Sequence, residues 1–114
     1  MTSSKPIRVE IVSGTENIAV TGATPVALTV PPHATYAEIY IDVDNAAIRW
    51  TKDGTPPADD NGEQENAGTT VYLEDVDSIN GFRALAIDNT TGALDPAMTA
   101  QLTGNFWNIS PDED

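Results

Sequence analysis

Cysteine is absent from this chain of 114 residues, so neither disulfides nor thiolate-held zinc or iron–sulfur clusters hold the fold together. Stability has to come from apolar packing. Long apolar runs are missing too. No stretch nears the ~20 residues that span a bilayer, and Met1-Thr2-Ser3-Ser4-Lys5-Pro6 lacks the apolar segment of an export signal, so a soluble product of the cytoplasm is expected. Positive charge is scarce: five Lys plus Arg stand against 18 Asp plus Glu, for a net charge of −13. Such a field repels nucleic acid and anionic membranes, and neither is expected as a partner.

Chemistry-bearing motifs are equally thin. His33 is the one histidine. It lies beside Pro31-Pro32 with no thiol to activate, and reads as a surface residue at a turn. Asp42, Asp44, Asp59, Asp60, Asp75 and Asp77 offer hard oxygen ligands, but their spacing lacks the central Gly and terminal Glu of a calcium loop. Turn formation and solvation account for them, with calcium between subunits as the other reading. No glycine-rich phosphate loop opens a helix, and Arg49, Lys52 and Arg83 are too few for a basic surface. Asn89-Thr90-Thr91 and Asn108-Ile109-Ser110 fit the N-glycosylation pattern, which cytoplasmic assembly would leave unmodified. No catalytic, cofactor-binding or metal-ligating residue is assigned, no cofactor is expected, and the chain is not expected to be an enzyme.

The acidity has two readings. In molar salt the Debye length falls to about 3 Å, so dense carboxylates stop repelling at distance and keep the surface hydrated, which fits a halophilic source. Solubility alone is the other explanation.

What the sequence does contain is short alternating apolar runs. Ile7, Val9 and Ile11 alternate with polar neighbours up to a turn at Gly14. A second strand lies around 18–20, and Val26, Leu28 and Val30 suggest a third before Pro31-Pro32. Ala37, Ile39, Ile41 and Val43 share one face against Glu38, Tyr40, Asp42 and Asp44. After the turn residues Asp44-Asn45-Ala46, Ile48 and Trp50 share a face, which predicts a hairpin with Trp50 as core anchor. Residues 52–68 read as a long exposed loop, followed by strands at 70–73, 82–87 and 98–102. No segment has convincing helical periodicity, and Asp75-Val76-Asp77-Ser78 reads as a turn. The expected fold is all-β, an antiparallel β-sandwich with a small β-barrel as the alternative, in one domain over 1–114. A short polar N-terminal tail (1–5) and an acidic C-terminal tail (110–114) should order only against a neighbour.

The run Ala47-Ile48-Arg49-Trp50-Thr51-Lys52-Asp53-Gly54-Thr55-Pro56-Pro57 is followed by Asn61-Gly62, by Gly68 and the strand at 70–73, and by Gly81-Phe82-Arg83-Ala84. In this order the segments make residues 37–87 similar to small β-rich structural proteins encoded among the head and tail genes of tailed bacteriophages and archaeal tailed viruses. The similarity spans about half the chain. It departs in the acidic stretch Asp59-Asp60 to Glu63-Gln64-Glu65 and in the strands before Pro31. The resemblance implies a non-enzymatic virion structural protein assembled in the host cytoplasm. A capsid decoration, cement or turret subunit comes first, and a tail, neck or baseplate subunit is the alternative. Its partners would be the major capsid protein, other virion proteins and further copies of itself as a homo-oligomer. A carbohydrate-binding adhesive module is a third reading, in which Tyr36, Tyr40 or Trp107 would present rings on one face.

Overall fold

The computed structural model describes residues 7–11, 15–43 and 45–111; at 7–11, 110 and 111 the backbone alone is described. Eight strands and one short helix follow in the order β1 (Ile7–Ile11), β2 (Glu16–Thr21), β3 (Tyr36–Ile41), β4 (Ala47–Thr51), β5 (Glu63–Glu65), β6 (Thr70–Leu73), α1 (Val76–Gly81), β7 (Arg83–Ile87) and β8 (Thr99–Pro111). They form two antiparallel sheets, an all-β, sandwich-like arrangement. One sheet is β1-β8-β3-β6 with β2 also on β8; the other is β5-β4-β7.

β8 organises the larger sheet. Along one edge it pairs with β2 from Thr99 to Gly104 and with β1 from Trp107 to Pro111. Along its other edge it pairs with β3, from Leu102 opposite Ile41 to Trp107 opposite Tyr36. Sequence pattern predicts a strand over 98–102 only, short of Gly104. The strand runs through it because the missing Cβ makes room: a methyl group at Gly104 would stand 3.2 Å from Ile39 Cδ1. Ser110 and Pro111, expected in a loose tail, belong to β8 as partners of Arg8 and Ile7. The tail residues 1–5 and 112–114, and the turn residues Gly14 and Asp44, lie outside the described residues.

The core is built where the two sheets face each other. Val20, Ile39, Ile41, Leu73, Leu102 and Phe106 from the larger sheet meet Ile48, Trp50, Ala84 and Ala86 from the smaller, with Leu28, Ile79 and Phe82 from the connections. Large and small residues are paired across the ladder, Trp50 opposite Ala84 and Ile48 opposite Ala86. This leaves space for the Trp50 ring, which stacks on Phe82 at 5.8 Å with planes 27° apart.

Five further expectations are corrected. The hairpin of 37–43 with 47–51 does not form: β3 pairs with β6 and β8, and β4 with β5 and β7. Ile39 and Ile41 therefore meet Ile48 and Trp50 across the sandwich, which buries both sets more fully than side-by-side pairing in one sheet. The chain turns that corner after Ile41, so Val43 leaves the buried face and is 55% exposed. Val26 makes a single bridge to Ala84 instead of a strand; three residues on, the Thr29 N–H is taken by the Glu16 carboxylate at 3.0 and 3.2 Å. The acidic loop contains β5, which pairs Glu63 with Trp50 and Glu65 with Ile48. Residues 76–81 form a helix because Asp75 caps it, its carboxylate accepting from Ser78 N–H at 2.7 Å.

Candidate functional site

Alternation along β3, β6 and β8 divides the aromatic residues between two environments. Ala37, Ile39 and Ile41 point inward with Val71, Leu73, Leu102 and Phe106. The register places Tyr36 opposite Trp107, Glu38 opposite Asn105 and Tyr72, and Tyr40 opposite Thr103 and Thr70. Partners across an antiparallel ladder share a face. All three tyrosines of the chain and Trp107 therefore lie on the outer face of the larger sheet, while Trp50, Phe82 and Phe106 are buried. Tyr40, Tyr72, Val76 and Ile109 are the large apolar or aromatic groups left exposed around it.

At one end of this face an open groove of about 470 Å³ is lined by Thr35, Tyr36, Glu74, Asp75, Val76 and Ile109. Tyr36, one of the lining residues, packs against Trp107, with ring centroids 5.7 Å apart and planes tilted by 48°. Thr35 closes the adjoining edge of β8. Its N–H donates to the Trp107 carbonyl at 2.9 Å, and its hydroxyl accepts from Ile109 N–H at 2.8 Å and donates to the Ile109 carbonyl at 3.2 Å. The groove is thus a face between side chains rather than an open strand edge. Partial burial, then the charge of Glu38 and the neighbouring Tyr72 and Glu74, push the Tyr36 phenol above its usual range. The capping bonds to Ser78 hold the Asp75 carboxyl below the usual carboxylate range, with Lys52 adding a smaller effect.

A second hollow of about 270 Å³ is lined by Trp50, Thr51, Lys52, Asp53, Asn61, Gly62 and Glu63, the segment that carries the resemblance. Here the geometry is that of a folded turn. Asp53 Oδ1 accepts from Thr55 N–H at 3.0 Å and from the Thr55 hydroxyl at 2.6 Å, and Gly54 N–H donates to Gly81 O at 2.9 Å. Among the described residues Arg49 reaches no carboxylate; its guanidinium donates to the carbonyls of Gly62 (3.1 Å) and Gly92 (3.2 Å) and to Gln64 Oε1 (3.3 Å), clamping β4, β5 and the turn at Gly92. The motif halves 47–57 and 81–84, distant in sequence, are one packed unit through Gly54–Gly81 and Trp50–Phe82.

No protein-family model matches this chain, and no curated protein or solved structure matches it.

The remaining candidates are scattered. His33 is exposed with a φ of 69°. Asp42 accepts from the Thr103 hydroxyl at 3.0 Å, Asp59 from Leu94 N–H at 2.9 Å, and Asp60 and Asp77 are exposed. Among the described residues no three His, Asp or Glu converge as metal ligands, and no helix is long and apolar enough to cross a membrane. Asn89 accepts from Ala47 N–H at 2.7 Å, and Asn108 lies within β8 opposite Glu10. The adhesive reading names Tyr36, Tyr40 and Trp107, and these do share a face. Tyr72 belongs with them, and the alternation of Thr70-Val71-Tyr72-Leu73 was the signal for it.

Proposed function

We propose that this chain is a non-enzymatic structural subunit of a tailed-virus particle, docking on the shell as a decoration, cement or turret protein. The observation that carries the reading is the segregation of all three tyrosines and Trp107 onto one outer sheet face. Exposed aromatic groups of this kind are enriched where proteins associate, since rigid rings bury much area at low entropic cost. The packed unit built by Trp50, Gly54, Gly81 and Phe82 adds to it as the structural basis of the resemblance. A tail, neck or baseplate position would use the same surface.

Purified particles of the encoding virus, analysed by quantitative mass spectrometry and labelled with antibody for electron microscopy, test this. Many copies per particle with label over the head are expected; label on the tail selects the alternative location, and absence from purified particles overturns the reading. Because Tyr36, Tyr40 and Trp107 share a face, carbohydrate adhesion is the second reading, and binding to a glycan array with loss on Trp107→Ala would favour it.

A further inference from the structure

The outer-face groove combines two properties. Its walls are apolar or aromatic, from Tyr36, Val76 and Ile109, with Trp107 behind Tyr36. Its charged lining is entirely anionic, from Glu74 and Asp75, with Glu38 beside Tyr36. Of the cations whose side chains are described, Arg49 on β4, Arg83 on β7 and Lys52 just after β4, none lines the groove, and Lys52 acts on it only through its smaller effect on Asp75, which is already engaged with Ser78.

We propose that this groove receives an arginine or lysine side chain from a segment of a partner protein, the ring of Tyr36 facing the cation and Glu74 supplying the counter-charge. The identification of that partner as a particle protein rests on the function proposed above; the side-chain recognition does not.

Charge decides among the occupants. A second copy of the chain would bring another −13 against a face already edged with carboxylates, and a nucleic acid or anionic lipid surface would be repelled in the same way. A cation is attracted by both elements of the site, by the carboxylates and by the negative faces of the rings. Arginine suits it best, because its planar guanidinium stacks on an aromatic face while its N–H groups reach a carboxylate. The groove volume lies within the range of small-ligand sites, about 300–1,000 Å³. Asp75 is committed to Ser78 at 2.7 Å, so Glu74 is the carboxylate left to meet the ligand. Thr35 has already bonded the edge of β8, so on that side the partner meets the face through side chains.

The test uses the full chain, labelled with nitrogen-15 and titrated by NMR with the blocked tripeptide acetyl-Gly-Arg-Gly-amide in about 0.15 M NaCl, where long-range attraction is screened. Saturable shifts confined to Thr35, Tyr36, Val76, Ile109 and the Trp107 indole N–H are expected. Glu74→Gln should weaken binding about three-fold or more, whereas Glu63→Gln on β5, with the same change in charge, should leave it unaltered. Val76→Ala, at an exposed position that lines the groove, serves as a second variant that retains the core and should also weaken binding. Equal weakening by the two Gln variants, or equal binding of acetyl-Gly-Gln-Gly-amide, would overturn the proposal by showing attraction to net charge or to peptide alone. Shifts at the same residues with maltoheptaose or chitotriose and none with the arginine peptide would overturn it in favour of a sugar surface. A chain that binds the arginine peptide but is absent from particles would refute the virion reading and leave this inference standing; a chain present in particles without arginine binding would do the reverse.

Discussion

Tyr36 and Trp107 are register partners on β3 and β8 and rest ring against ring on the outer face, 5.7 Å apart. Tyr36 lines the groove while Trp107 supports it from outside the lining, so the pairing has both an energetic and a positional consequence. A double-mutant cycle of Tyr36→Ala and Trp107→Ala should give a coupling energy of about 0.5–1.5 kcal/mol in chemical denaturation. Additive effects would show that the rings lie near each other without supporting each other.

Trp50 is the main aromatic anchor of the smaller sheet, only 7% exposed and stacked on Phe82. Trp50→Ala should cost about 3–5 kcal/mol, measured by urea unfolding. Among the described residues the indole Nε1 has no hydrogen-bond acceptor. Trp50→Phe, which keeps a ring and removes the orphan donor, should therefore cost clearly less.

Gly81 and Gly54 face each other at the end of the resemblance motif, but for different reasons. A Cβ on Gly81 would fall on the Lys52 carbonyl, well inside contact distance, whereas Gly54 has open space and a φ of +85°. Gly81→Ala should lower stability by about 2 kcal/mol or more through backbone displacement. Gly54→Ala should cost about 1–2 kcal/mol through the left-handed backbone alone. Thermal melts of the two variants check this order.

Asp53 and Asp75 both ionise below the usual carboxylate range, Asp53 through its bonds from Thr55 and Asp75 through those from Ser78. A carboxyl whose folded pKa is depressed binds its proton less readily in the folded state. Its stabilising contribution is therefore present above the unfolded value, near 4, and is lost as pH falls through the folded one. The melting temperature should drop as the pH falls below about 4. Asp75→Asn retains a capping side chain and should flatten this acid limb without abolishing α1. A limb identical to that of the unaltered protein would remove Asp75 from the account.

The net charge of −13 on a chain of this size predicts that stability rises with salt. Unfolding midpoints followed from about 0.05 to 3 M NaCl should increase, with most of the gain from screening falling early. A flat profile would leave solubility as the sole reason for the composition.

Much of the architecture was legible before any coordinates. Period-two alternation located β1, β3 and β4, short apolar runs located β2, β6 and β7, and the inward set Ile39, Ile41, Ile48 and Trp50 is buried as that alternation requires. Alternation is a local property, imposed by the pleat, so one strand's residues suffice to show it. The α1 helix was not legible because six residues are too few for a helical period, and its formation depends on one capping carboxylate.

Pairing and surface were decided only by the tertiary structure. Nothing near Ile41 or Ile48 in sequence says that their strands enter different sheets; that follows from β8, some sixty residues later, which supplies the partner for β3. Gly104 lies inside β8 because Ile39 occupies the space beside it that a Cβ would need. The groove itself joins Thr35, Glu74 and Ile109, residues from three separate parts of the chain. The sequence by itself determined which residues want to leave water, because that depends on side-chain chemistry and local period alone. Which strands lie side by side, and therefore which tyrosines gather beside which carboxylates, was decided only when the two sheets closed over a shared core, since long-range contacts win their loop entropy back only in the assembled fold.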